Sequence, residues 1–180
     1  MARHHRRLGL ERAFPDARPG HGSRRPGRRR ARTADRALAQ GCGSGLASPM
    51  ADIMTALFPY RAETAGVVVR VAVAFLADQS SPAAKRWFWS YHIRIENRRD
   101  DAVQLLARHW VIKDAAGKVH EVRGEGVVGD TPWIDPGDSY DYVSGCPLET
   151  SSGAMAGEFH MVDEQGATFD IEIPGFELAI

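Results

Sequence analysis

The sequence after residue 53 predicts an all-β fold, a sandwich or barrel built from about seven or more short strands. From Gly66 onward, apolar and polar residues alternate with the period of two that is typical of half-buried strands. Turn signals rich in Gly, Pro, Asn and Asp recur at a spacing of roughly 8–12 residues. In this part of the chain, no stretch of about eleven residues keeps a helical period without a Gly or Pro.

The first two predicted strands are separated by the break Ser-Ser-Pro at residues 80–82. The first strand carries one wholly apolar row, formed by Val67, Val69, Val71, Val73 and Phe75. The second strand turns one row toward a core, namely Trp87, Trp89, Tyr91, Ile93 and Ile95. Its opposite row mostly faces water and consists of Phe88, Ser90, His92, Arg94 and Glu96. This parity predicts that Phe88 is exposed.

A third strand, residues 102–114, is apolar on both faces, and a polar turn at residues 97–101 precedes it. Hairpin turns are predicted at residues 114–117 and 163–166, where Gly ends each turn. The segment Asp-Pro-Gly-Asp at 135–138 predicts another turn, because Pro fixes φ and Gly allows positive φ. The last strand points Phe169, Ile171 and Ile173 inward.

The zero net charge hides two unlike parts of the chain. Residues 1–49 contain twelve Arg and three acidic residues, a charge of +9, whereas the remainder carries −9. Large apolar residues are sparse in this basic part, so residues 1–53 are predicted to form a disordered Arg-rich tail before a domain at residues 54–180. Three interpretations stay open: an upstream sequence, with translation starting at Met50 or Met54, a solvated tail, or an arm that binds nucleic acid.

Gly124, Gly126 and Gly129 match the pattern G-x-G-x-x-G. In a dinucleotide-binding fold these glycines would precede a helix whose amides hold a pyrophosphate. Here Pro132 and Pro136 follow and prevent that helix, and the acidic residues in the loop would repel phosphate. The favoured interpretation is a wide turn between strands, and the alternative is a weak phosphate or anion site made by loop amides.

Long motifs in the second half of the chain resemble the ApaG domain family. They include RHWVI, VRGEGVVG, SGCPL, SGAMAGEFHMV and FDIEIPGFEL, and the similarity runs from about Tyr60 to Leu178. The resemblance implies an immunoglobulin or fibronectin-III-like β-sandwich. Bacterial members of the family are linked by name to cobalt resistance and magnesium efflux, and members inside larger proteins are thought to bind other proteins. The family offers no catalytic residues, and its proposed phosphate-binding motif corresponds to residues 124–129.

Other candidate sites have simpler structural interpretations. His92 is expected on a solvated face, whereas His109 lies on an apolar row and is expected in the core. Cys146 is expected to pack without a catalytic partner, and no histidine or cysteine has the spacing of a metal site. The acidic residues Asp135, Asp138 and Asp141 are expected on a solvated face, with a weak cation site as the alternative. The aromatic residues expected mostly in the core are Trp87, Trp89, Tyr91, Trp110, Tyr140 and Tyr142.

These observations predict a non-enzymatic binding module without a cofactor. The expected partners are proteins, and the alternative is a regulator that binds a divalent cation, phosphate or nucleotide through Gly124, Gly126 and Gly129. Nucleic acid is expected only through the Arg-rich tail. The longest apolar run has thirteen residues and contains Arg70, too short for a membrane span, which needs about 20. A cytoplasmic location is expected, because the two cysteines form no disulfide framework.

Overall fold

The computed structural model describes residues 49–180, which form one short helix, two 3₁₀ turns and nine strands. The expected disorder of residues 1–48 lies outside the described residues, and the first helix begins inside the segment assigned to the tail. The elements are α1 (Pro49–Leu57), β1 (Tyr60–Thr64), β2 (Val67–Phe75), the 3₁₀ turns Ala77–Gln79 and Pro82–Ala84, β3 (Trp87–Asn97), β4 (Val103–Asp114), β5 (Val119–Glu125), β6 (Trp133–Ile134), β7 (Ser139–Leu148), β8 (Gly153–Asp163) and β9 (Thr168–Leu178).

The strands form two antiparallel sheets that pack face to face, which confirms the immunoglobulin or fibronectin-III-like sandwich. One sheet has the order β1-β2-β3-β7, and the other has the order β5-β4-β8-β9, with β6 also pairing to β4. On one side of the sandwich, β1 lies against β9, and the backbone N–H of Glu172 donates to Oγ1 of Thr64 at 3.2 Å. On the other side, the edge strands are β7 in one sheet and β5 in the other, and the hydroxyl of Tyr140 on β7 donates to Asp130 at 3.3 Å.

The core fills the space between the sheets with large side chains from both. An aromatic group at its centre joins Tyr91, Trp110 and Phe176, whose ring centroids lie 5.4–6.0 Å apart. Burying each such side chain contributes about 1.5–3 kcal/mol to stability relative to leaving it exposed. The predicted aromatic set is mostly in this core, since Trp89, Tyr91, Trp110 and Tyr142 are buried.

A β-bulge in β4 explains why that strand is apolar on both faces. The register with β8 shifts between Leu105 and Ala107, so an extra residue changes which side chains face the core. Val103 and Leu105 are buried before the bulge, whereas Trp110 and Ile112 are buried after it. His109 therefore faces outward and is only partly buried. The expectation of a core histidine at this position is wrong, because simple alternation does not survive the bulge.

The predicted turns form where the sequence placed them. Residues 114–117 join β4 to β5, residues 163–166 join β8 to β9, and residues 135–138 precede β7. Their glycines adopt positive φ values of +81° to +84°. These left-handed conformations are the ones in which Gly avoids the strain of a side chain.

The expectation of an exposed Phe88 is also wrong, since this side chain is only 7% exposed. Its strand parity is as predicted, but the connection between β2 and β3 lies against this end of β3. The carbonyl of Phe88 accepts a hydrogen bond from the N–H of Leu76 at 2.8 Å, and its N–H donates to Oγ of Ser80 at 3.0 Å. An ordered connection covers the residue that alternation alone assigned to solvent.

Candidate functional site

The glycine motif lies on the outer edge of β4, where it interrupts the pairing of that strand. Gly124 pairs with Arg108, Glu125 ends the ladder of β5 opposite Ala107, and the N–H of Gly126 donates to the carbonyl of Leu106 at 2.8 Å. Pairing resumes when the N–H of Leu105 donates to the carbonyl of Pro132 at 3.0 Å, and β6 follows. Residues 127–131 therefore project from the sheet edge as a loop between two points that are adjacent on β4. We call residues 124–131 the glycine loop.

The glycine loop contains a tight two-residue turn and no helix. The N–H of Val127 donates to the carbonyl of Asp130 at 2.8 Å, and the N–H of Asp130 donates back at 3.0 Å. The two central residues, Val128 and Gly129, have φ values of +51° and +78°. Positive φ at both positions is the mark of a type I′ turn. The predicted interpretation of a turn rather than a helix-based pyrophosphate cradle agrees with this geometry.

Two of the three glycines in the motif are explained by close contacts. A side chain at Gly126 would place Cβ 2.0 Å from the carbonyl oxygen of Asp130, and the φ of +54° also favours Gly. A Cβ at Gly124 would lie 3.2 Å from the guanidinium of Arg108. Gly129 has open space around it, so its positive φ alone explains the residue.

Arg108 and Val127 anchor the base of the glycine loop. Nη1 of Arg108 donates to the carbonyl oxygens of Glu125 and Gly126 at 2.9 and 2.6 Å. Val127 is buried in the core cluster, next in sequence to the exposed Val128. These contacts hold the loop on the sheet edge. The guanidinium of Arg108 and the amides of Gly126, Val127 and Asp130 are therefore already engaged in hydrogen bonds within the protein.

Two large apolar side chains are exposed at this edge, Val128 at the turn and Trp133 on β6. They are 61% and 53% exposed. We call them the loop-edge surface. Neither residue was predicted from the sequence. Val128, a β-branched residue directly before the last glycine of the motif, could have been recognised as unusual at a turn position. A Trp in a two-residue edge strand could be recognised only once the pairing of β6 with β4 was known.

The outer face of the five-stranded sheet carries a groove of about 530 Å³ beside the glycine loop, with charged walls. Nε2 of His109 lies 3.1 Å from Glu121, and its Nδ1 lies 3.2 Å from Glu158. Nδ1 of His160 lies 2.7 Å from Asp170. His109 and Arg123 hold the pKa of the Glu121 carboxyl below its usual value. Among residues 49–180, no group of three or more His, Cys, Asp or Glu side chains is placed to hold a metal ion.

The remaining predicted residues are structural. His92 lies on the outer face, as predicted, with Nε2 2.9 Å from Asp141 and its ring 4.9 Å from that of Phe58. Asp141 also accepts a hydrogen bond from Arg94 at 2.7 Å. One of the three acidic residues considered for a weak cation site is therefore paired with an arginine. Cys146 is buried in the core, and burial raises the pKa of its thiol to about 12. The predicted packing role of Cys146 is confirmed.

Comparison with known proteins identifies what the chain resembles. The ApaG domain profile matches residues 77–163, a range that contains the whole glycine loop. The chain is 54% identical to Protein ApaG of Mesorhizobium japonicum over 119 residues, which are 66% of this chain and 92% of that protein. It is 52% identical to Protein ApaG of Brucella canis over 121 residues, 67% of this chain and 93% of that protein.

The fold also matches a solved structure. A crystal structure named for the ApaA protein from Bordetella pertussis superposes with a TM-score of 0.62 and 40% sequence identity. The match covers 63% of this chain and 93% of that one. No helix among the residues that the structure describes is long and apolar enough to cross a membrane.

Proposed function

The chain belongs to the ApaG domain family, and from that premise we propose that it is a non-enzymatic protein-interaction module of the cytoplasm. In this proposal the sandwich is a rigid support, and the loop-edge surface of Val128 and Trp133 contacts the partner. The domain at residues 54–180 carries this activity, and the Arg-rich tail is not needed for it.

The observation that carries the proposal is the conformation of Val128. A left-handed backbone costs a residue with a side chain about 1–2 kcal/mol, and a β-branched residue there is an outlier. Strain of this kind is found where the surroundings impose it and function uses it. Val128 has a φ of +51°, at which Gly would be free of strain, and its side chain is exposed to solvent.

Trp133 supports the same surface for an independent reason. Tryptophan is among the residues that most often dominate the binding energy of a protein interface. Its edge strand β6 and the anchored loop are held by backbone hydrogen bonds to β4, so an exposed ring here is already positioned before binding. A pre-positioned side chain loses less conformational entropy when a partner binds.

The chemistry of the candidate catalytic groups supports a non-enzymatic role. With a pKa of about 12, the thiol of Cys146 has a negligible thiolate fraction at neutral pH. The ring nitrogens of His109 lie 3.1–3.2 Å from the carboxylates of Glu121 and Glu158, and not, within residues 49–180, beside a hydroxyl or thiol that the ring could activate.

Affinity capture from the native cell with single-residue variants tests the proposal. We expect Trp133→Ser to reduce the yield of the captured partner by about tenfold or more, as for a hot-spot residue. Val119→Ser is the matched control, because Val119 is also 53% exposed but lies on β5, away from the turn. Equal capture by the parent and both variants would show that the loop-edge surface does not contact the partner.

A second candidate is a regulator that binds a small ligand at the glycine loop, linked by the family's name to cobalt and magnesium. The favouring observation is that Val128 and Gly129 are consecutive left-handed residues, and successive amides in such turns can form an anion site. Titration of a ¹⁵N-labelled chain with phosphate, Mg²⁺ and Co²⁺ separates the ligands. Saturable amide shifts at Gly124, Gly126 and Gly129 would support this candidate, and unchanged shifts at millimolar ligand would contradict it.

A further inference from the structure

Strand β7 is an open sheet edge on the described part of the chain. It pairs with β3 on one side, and within residues 49–180 no strand pairs with its other side. The five-stranded sheet has its own edge strand, β5, which carries Glu121, Arg123 and Glu125, and at the opposite side β1 lies against β9. Proteins protect exposed edges with charges, bulges or covering segments, because unpaired backbone groups there attract another strand. β7 is ten residues long and has one charged residue, Asp141.

The register shows which backbone groups of β7 face outward. The N–H of Asn97 donates to the carbonyl of Asp138 at 2.9 Å, so alternate residues from Asp138 onward bond to β3. The residues between them point their N–H and C=O groups to the open side, as the antiparallel pattern requires. These are Ser139, Asp141, Val143, Gly145 and Pro147, of which the last lacks an N–H.

We propose that two copies of this chain pair along β7, antiparallel, about a two-fold axis at Val143. This surface is distinct from the loop-edge surface and does not depend on the proposed function. Val143 is 54% exposed, and the two-fold axis brings it against its own copy. An isologous contact of this kind closes after two subunits and produces a dimer.

Charge selects this register over its neighbours. With the axis at Val143, Asp141 lies opposite Gly145 of the second copy, so no like charges face each other and neither carboxylate is pressed against an apolar side chain. Moving the axis to Tyr142 or Ser144 would place Asp141 opposite the apolar Val143 or Pro147, and moving it to Asp141 would oppose two carboxylates. The charge of Asp141 is already balanced within its own sheet by Arg94, whose Nη1 lies 2.7 Å from its carboxylate.

The outer face of the sheet extends the contact across the axis. His92 is the register partner of Val143 on β3, and the ring of Phe58 packs on His92 at 4.9 Å. Phe58 is only 7% exposed and covers His92, so Val143 is the apolar side chain that each copy contributes at the axis. An interface made chiefly by two edge strands is small, so we expect a weak and concentration-dependent dimer.

Disulfide trapping tests the register in the full chain. Val143→Cys in a Cys42→Ser background places two thiols opposite each other, about 5.5 Å apart between Cα atoms, which a disulfide can span. Val119→Cys in the same background is the matched control, because Val119 is 53% exposed on the other open edge. Cys146 is silent in both, since it is buried and its thiol has a pKa of about 12.

We expect the Val143→Cys variant to form covalent dimers about ten times faster than the control, because pairing raises the effective thiol concentration. Equal rates in the two variants, or no covalent dimer of the Val143→Cys variant, would overturn the proposal. Val143→Lys in the otherwise unchanged chain provides a second measurement by sedimentation at rising concentration. It should remain monomeric where the parent associates, and identical sedimentation of the parent and the variant would also overturn it.

Discussion

The four-stranded sheet and the five-stranded sheet differ in which of their surfaces are shielded from solvent. On the outer face of the four-stranded sheet, Val68 and Arg70 are buried, and Nε of Arg70 donates to Glu96 at 2.9 Å, but the edge strand β7 is open. The five-stranded sheet exposes its charged outer face, ends in the charged edge strand β5, and carries the glycine loop where that strand stops. Under the two proposals, each sheet would offer a different feature to a partner, an edge strand with one charged residue in one case and a displayed turn in the other.

The largest effect is expected from the filled edge. Gly126→Ala forces a Cβ into the carbonyl of Asp130 and should lower the free energy of unfolding by on the order of 3 kcal/mol. Gly129→Ala is the matched control, because the surrounding space is open and only the positive φ is strained, at about 1 kcal/mol. Urea unfolding followed by tryptophan fluorescence compares the two. Equal losses would show that the loop is not anchored at Gly126.

The second-largest effect is expected on the buried outer face of the four-stranded sheet. Burial raises the pKa of the Glu96 carboxyl, but hydrogen bonds from Arg70 and Arg98 outweigh it and leave the pKa below its usual value. Glu96→Gln should cost about 2–3 kcal/mol at pH 7, because the buried Arg70 then lacks its charged partner. Urea unfolding at pH 7 measures the loss.

The pH dependence has a definite sign. A carboxyl whose pKa is lowered by folding stabilises the protein above its unfolded pKa of about 4.3, and that stabilisation is lost as pH falls through the lower folded pKa. The destabilisation by Glu96→Gln should therefore be full at pH 7 and shrink at pH values below about 4. A difference that stays constant as the pH falls to about 2 would contradict this assignment.

A smaller effect of opposite sign is expected at the turn itself. Val128→Gly relieves the strain of a β-branched residue at φ +51° and should stabilise the fold by about 1 kcal/mol or slightly less. The thermal unfolding midpoint would rise by a few degrees. A destabilised variant would mean that the side chain of Val128 contributes more to the fold than its exposure indicates.

The smallest effect is expected on the exposed face of the five-stranded sheet. Glu158→Gln removes one of the two carboxylates beside His109, but the Glu158 side chain is half exposed and Glu121 remains. The free energy of unfolding should change by no more than about 0.5 kcal/mol. A loss similar to that of Glu96→Gln would erase the distinction between a covered and an exposed face.

Much of the fold could be predicted because alternation and turn chemistry are local. The rows of β3 and β9 and the turns at Gly117, Gly137 and Gly166 follow from period two and from positive φ. His109 could not be placed, because the bulge between Leu105 and Ala107 reverses the parity of β4 and depends on pairing with β8.

The candidate site was predicted only in part. The two prolines after the glycine motif excluded a helix, and the structure has a turn there. Exposure of Val128 and Trp133 was not predictable, since it depends on where the loop leaves β4 and rejoins it. Phe88 was misplaced for a similar reason, because the connection that covers it is fixed by hydrogen bonds that strand alternation does not reveal.

Capture of the native partner by the Val128→Gly chain tests the central claim most directly, because this change removes the side chain and keeps the turn and its amides. Partner yield is measured beside the parent at equal folded concentration, with phosphate-induced amide shifts recorded on both proteins. We expect the variant to stay folded and to lose most of the captured partner. Undiminished capture by the glycine variant, or phosphate shifts that saturate equally in both proteins, would contradict recognition through the displayed valine.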